Sequence, residues 1–152
     1  MRLRCMRSIA FAAAAGFAAL AAGAADIGQI KVARGQVTVE RAGAVLPATV
    51  GMRLQEADTV RTGADGSAGI TMNDDALLSA GPNSVLVLER YALDPSTSQG
   101  RMDTRLNKGS LVVVSGRIAK QSPEAMTVRT PATILGVRGT EFVISAEPIT
   151  QQ

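Results

Sequence analysis

A chain of 152 residues holds one domain with a genuine core and is short for two. It has no histidine, no tryptophan and one cysteine, which removes the usual ligands of zinc and haem and the histidine base of Ser-His and Cys-His nucleophile systems. The formal charge of +3 is an excess of 16 basic over 13 acidic residues, and three of the basic ones are Arg2, Arg4 and Arg7; without them the count is 13 against 13, so the basic footprint of a nucleic-acid binder is missing.

Those three arginines head an uncharged Ala/Phe/Leu run, Ile9 to Ala22, followed by the small residues Ala22-Gly23-Ala24-Ala25. This is the pattern of an export signal over residues 1–25. The run is too short to span a bilayer, which takes about 20 residues. The expectation is therefore cleavage that leaves Ala25 or Asp26 first, a periplasmic or secreted product, and no stable membrane insertion afterwards. Cys5 lies in the basic head and would leave with the signal, so the domain at 26–147 enters an oxidising compartment without disulfides. Residues 148–152 read as a C-terminal tail.

From Asp26 onward, short runs of Val, Ile, Leu, Thr and Met are separated by Gly, Asp, Asn, Pro or Ser, and no helical period is sustained. Val37 and Val39 alternate with Thr38 and Glu40, the period of a half-buried strand. Leu46 to Leu54 contains Pro47 and Gly51 and reads as a bent edge strand or a loop. In Thr59 to Met72 a strand ends at Thr62, Gly63-Ala64-Asp65-Gly66 turns, and Ala68, Ile70 and Met72 resume the alternation, which reads as a hairpin. A short strand follows over Ala76 to Ala80, and after Gly81-Pro82-Asn83 comes Ser84 to Glu89, apolar on both faces and so central in a sheet. Asp94 to Gly100 is a surface loop. Asn107-Lys108-Gly109 reads as a turn before a buried strand, Ser110 to Ser115, and a basic polar stretch from Arg117 to Glu124 leads to the closing segment. About ten strands in all, with turns every 8 to 12 residues, define an all-β, antiparallel-rich fold: a sandwich, a jelly roll or a solenoid-like arrangement.

The most constrained stretch is Val128 to Ile144. Pro131 fixes its own φ and biases Thr130 toward extended geometry, and Gly136 and Gly139 bracket Val137-Arg138 before a last strand-like run, Glu141 to Ile144. With neither histidine nor cysteine, it has no evident chemistry of its own. The tetrapeptide Thr-Val-Arg-Thr occurs twice, at Thr59 to Thr62 and at Thr127 to Thr130, each time ahead of a turn former; both copies read as strand ends with the same local needs.

The segments GQVTVERAG, DTVRTGADGSAGITM, GPNSVLVLER, LNKGSLVV and TVRTPATILGVRGTEFVI, in that order, resemble the FecR-type domain family. The resemblance implies an extracytoplasmic β-rich domain, best known from bacterial transmembrane regulators that pass a signal from an outer-membrane receptor to a cytoplasmic sigma factor. The chain departs from those regulators in having only Met1 to Arg7 ahead of its apolar run and in ending soon after the final motif, so what carries over is the domain and its compartment. The expected function is a non-enzymatic sensing or regulatory adaptor that binds another envelope protein, and the alternative is a structural envelope component that binds peptidoglycan or polysaccharide.

The positions that match the family pattern, and so the candidates for interaction, are Arg61, Thr62, Gly63, Asp65 and Gly66 in one cluster and Pro131, Gly136, Arg138, Gly139, Thr140 and Phe142 in the other. Arg61 and Arg138 suit a partner's carboxylate, against the ordinary alternative of strand-end caps or pairs with Asp58 or Glu141. Asp65, Asn73, Asp74 and Asp75 carry oxygen atoms that calcium could use, but the D-x-[DN]-x-[DN]-G spacing is absent and turn chemistry accounts for them. No cofactor or metal is implied. A carboxylate pair for glycoside hydrolysis has no preferred members among Asp58, Asp75, Glu89 and Glu141. With only Tyr91 and Phe142 as aromatics beyond the signal, stacking on sugars or single-stranded nucleic acid is poorly served. Phe142 is expected in the core, Tyr91 at a packed edge or an exposed contact, and Gly139→Val is expected to damage folding.

Overall fold

A computed structural model describes residues 23–147; the proposed signal run and the tail from 148 lie outside the described residues. Twelve strands form one curled sheet, mostly antiparallel. They are β1 (Asp26–Arg34), β2 (Val37–Arg41), β3 (Ala44–Pro47), β4 (Arg53–Gln55), β5 (Thr59–Thr62), β6 (Ser67–Met72), β7 (Leu77–Ala80), β8 (Val85–Leu93), β9 (Gly100–Val114), β10 (Met126–Arg129), β11 (Ile134–Gly136) and β12 (Glu141–Ala146), with one short helix, α1 (Arg117–Gln121).

The pairings divide the sheet into two wings. One runs β4-β1-β6-β7-β9-β12, the other β3-β2-β5-β8-β9-β10-β11. The strand common to both is β9: residues 100–108 pair with β8, residues 111–114 with β7. A single core cluster draws on both wings, with Ile30, Ile70, Leu78 and Leu111 from the first and Val39, Val60, Leu86 and Leu106 from the second, all fully buried. The period-two pattern that marks β2 and β6 in the sequence places these residues inward. β8 is central, as expected, but over Val85 to Leu88 only Leu86 and Leu88 face the core, while Val85 and Val87 are half-buried.

Two local readings are corrected. The turn at Gly63 to Gly66 does not make a hairpin, because β5 pairs with β2 and β8 in one wing while β6 pairs with β1 and β7 in the other. Asn107-Lys108-Gly109 is not a turn between strands either; β9 runs through it, and Gly109, at φ +94°, is the bend where the strand changes wings.

Four crossings between wings stack on one another: Gly35-Gln36, Gly63 to Gly66, Gly81 to Ser84, and the bend at Gly109. Hydrogen bonds tie each to the next. Gly63 N donates to Gln36 O (2.8 Å), Asn83 N to Gly63 O (3.0 Å), and Gly81 N to Ser110 O (3.0 Å). Thr62 Oγ1 donates to Gly81 O (2.6 Å) and accepts from Ser84 N (2.8 Å), while the Ser84 hydroxyl accepts from Ser110 N (3.0 Å). The glycines are there because crossing backbones touch: a Cβ on Gly66 would strike the Gln36 carbonyl, and one on Gly109 would sit 2.5 Å from Ser84 Cα.

The other side of the molecule is closed by charge. Arg41 donates to both oxygens of buried Asp58 (2.9 and 2.6 Å) and to the Arg53 carbonyl (2.8 Å), joining β2, β4 and β5, and Gln55 N completes the carboxylate (2.8 Å). The bidentate hydrogen bond to Asp58 raises the Arg41 pKa above its ordinary value. Asp74 is buried and accepts from Ala76 N and Ile118 N, each at 3.3 Å, which anchors α1 to the β6–β7 turn. Five residues are too few for a helical period to show, and α1 is invisible in the sequence pattern.

Candidate interaction surface

The motif at 128–144 folds as an exposed hairpin followed by an edge strand. Val128 is buried at the end of β10, and Thr130 opens a turn in which its N donates to Thr133 O (2.8 Å) and its hydroxyl accepts from Thr133 N (3.1 Å). Pro131 sits at that turn, where its missing N–H costs nothing. β11 then returns antiparallel to β10, and Val137, almost fully buried, donates its N–H to Met126 O (3.2 Å) and pins the return. Residues 138–140 are exposed, and Ser115 holds them through its N–H to Thr140 O (2.8 Å) and its hydroxyl to Gly139 O (2.7 Å).

Beyond this point the sheet stops. Among the described residues β11 pairs only with β10 and β12 only with β9, so each wing ends there in a free edge. Three large apolar side chains stand in solvent on these strands: Ile134 at 65%, Leu135 at 38% and Val143 at 67% exposure. Beside them Pro123, Glu124, Gly136, Val137 and Arg138 line an open cleft of about 400 Å³. Arg138 is exposed and forms no ion pair among the described residues, Glu141 included. Phe142 is half-buried and packs against the core.

The other cluster of expected residues lies elsewhere, in the stacked crossings. Thr62 and Gly66 are buried there, and Asp65 Oδ1 accepts from Gln36 N (3.3 Å). Arg61 is exposed and pairs with Glu40 at 3.1 Å, not with Asp58, which Arg41 occupies. The structure therefore separates the eleven residues: one cluster builds the fold, and the other borders a surface. The oxygen-bearing group is also accounted for locally. Asn73 donates to Asp26 O (2.7 Å), Asp74 anchors α1, and Asp75, at φ +67°, pairs with Arg117 at 3.2 Å. Among the described residues no three of His, Cys, Asp and Glu are grouped to hold a metal ion.

Tyr91 resolves to the packed alternative, buried with its hydroxyl 3.5 Å from Asp74 Oδ1; burial, and then the Asp74 charge, push its phenol well above the ordinary value. Sequence reasoning missed the charged group around Asp103. Burial alone would raise this carboxyl, yet hydrogen bonds from Arg101 Nε (2.7 Å) and Thr127 Oγ1 (2.6 Å), with the charges of Arg101 and Arg129, hold it below the ordinary carboxylate value. No sequence signal could have joined Thr127 and Arg129 to Asp103, because a parallel β9–β10 pair brings them together across more than twenty positions.

Comparison with known protein families finds one described as FecR protein, matching residues 58–151, which is more than half of the chain. The chain belongs to the FecR protein family. Neither a curated protein nor a solved structure matches it. Both motif clusters fall inside the FecR match, whereas β1 to β4 precede it. Those four strands nevertheless complete the same sheet, with β2 against β5 and β1 against β6. The FecR family is regulatory, and no described helix is long and apolar enough to cross a membrane.

Proposed function

We infer that this FecR domain is an extracytoplasmic, non-enzymatic adaptor that binds another envelope protein through the β11–β12 end. The observation that carries the reading is the pair of free strand edges bearing exposed Ile134, Leu135 and Val143 inside the family's motif. A free edge offers unpaired N–H and C=O groups to an added strand, and the apolar side chains supply area to bury. Soluble proteins blunt such edges unless something covers them. Export through residues 1–25 is the compartmental half of the same proposal.

The peptidoglycan or polysaccharide alternative is weaker on the same surface. Tyr91 is buried and Phe142 is packed against the core, so neither presents an open ring face.

The deciding experiment is affinity capture from an envelope fraction with the wild type and with Ile134→Lys/Val143→Lys. Both positions are exposed, so the double variant should keep its thermal midpoint while losing a partner that the wild type recovers specifically. Equal recovery by both, or no specific partner, would sink the reading. Co-sedimentation with purified sacculi, undiminished by the same substitutions, would favour the wall-binding alternative.

A further inference from the structure

On the outer face of the second wing, β8, β9 and β10 lie side by side. Their registers set Arg90 opposite Asp103, and, across the parallel pair, Thr127 opposite Asp103 and Arg129 opposite Arg105. Two acids in this group are already engaged: Asp103 by Arg101 and Thr127, Glu89 by Arg105. Arg90 and Arg129 have no ion pair and no side-chain hydrogen bond among the described residues. Arg129 Nε is removed from solvent and has no acceptor. Arg90, Arg101 and Arg129 converge, with Glu89 and Asp103, on an open pocket of about 280 Å³.

A charged donor withdrawn from water without an acceptor is unfavourable, and an anion in the pocket would relieve it. The guanidinium fork matches planar or tetrahedral oxyanions, which it binds through two parallel hydrogen bonds. We propose that this pocket is an oxyanion site for a compact carboxylate or phosphate group, with Arg129 as the central donor and Arg90 and Arg101 at its rim. Its volume is just below the range of ordinary ligand pockets, roughly 300–1,000 Å³, so it takes a single anionic group and not an extended ligand. The engaged Glu89 and Asp103 frame the pocket with negative charge and disfavour polyanions. A free inorganic anion and the carboxylate of a bound peptide share this chemistry.

Purified protein is titrated with sodium phosphate against sodium chloride at matched ionic strength, and separately with a short Asp/Glu-bearing peptide, by calorimetry and amide NMR shifts. Saturable binding is expected in at least one arm, with shifts centred on residues 90, 101 and 129. Phosphate binding identifies a free oxyanion as sufficient; peptide binding alone identifies a partner's carboxylate. Arg129→Gln should weaken Kd about tenfold or more and Arg90→Gln by less, while Arg34→Gln, at an exposed residue of β1 in the other wing, should leave it unchanged. If the Gln variant folds poorly, Arg129→Lys keeps the charge without the fork and should still bind more weakly than the wild type. No saturable binding in either arm, or wild-type affinity in the folded Arg129 variants, overturns the site.

Discussion

The two copies of Thr-Val-Arg-Thr end in the same residue types and meet opposite fates. Thr62 is buried in the stacked crossings, where its hydroxyl bridges Gly81 O and Ser84 N, and the turn behind it packs against another backbone. Thr130 is half-buried, caps its own turn through Thr133, and leads into a hairpin that stands in solvent. The glycines follow suit. A Cβ on Gly66 or Gly109 meets backbone, whereas one on Gly136 or Gly139 meets nothing within 4 Å. A motif glycine is thus a steric requirement in one region and, in the other, part of a surface that packing does not explain.

The sharpest test of that contrast is Gly109→Val, which combines left-handed strain with a backbone collision and should cost about 3 kcal/mol or more. Denaturant unfolding reads it, and a loss below 1 kcal/mol would contradict the crossing geometry. Gly139→Val carries strain at φ +127° but no crowding, so its cost should be about 1–2 kcal/mol and local in amide exchange. Thr62→Val leaves Gly81 O and Ser84 N without their partner and should cost about 1–3 kcal/mol, against a few tenths for Thr130→Val. Equal losses in the two threonine variants would erase the distinction.

A smaller effect lies between the regions, at Asp103. Its folded carboxyl titrates below the unfolded one, so it contributes stability above the unfolded pKa, and that contribution is lost as pH falls through the folded value. Thermal midpoints measured downward through the acid range should fall less steeply in Asp103→Asn than in the wild type. Gly136→Ala, with open space and no positive φ, should move stability by no more than about 0.5 kcal/mol.

The sequence made the inward faces of β2 and β6 legible because alternation is a local property of a strand. It could not say which wing receives the next strand. Asp65-Gly66 signals a turn equally well whether the chain returns beside β5 or crosses away from it, and Gly109 looks the same at a turn as at a bend inside a long strand. Of the candidate site, the 131–142 cluster was legible as a marked motif, but its exposure was not, since an apolar pair such as Ile134-Leu135 has the same pattern on a buried strand as on an exposed hairpin. The Arg90, Arg101 and Arg129 pocket was unreadable because Arg129 joins the other two only through the parallel pairing of β10 with β9.

β9 belongs to both wings, and this governs how the molecule comes apart. Neither wing can lose its strand order without disturbing a backbone that the other also uses, so the halves have no independent melting transitions. Unfolding should be one cooperative event seen alike by probes in either wing. Assembly carries the matching constraint: β1–β6 and β7–β9 pairings join residues far apart in the chain, and loop closure before reward makes for slow folding. A shared strand thus gives the domain all-or-none behaviour that its modest core would not by itself guarantee.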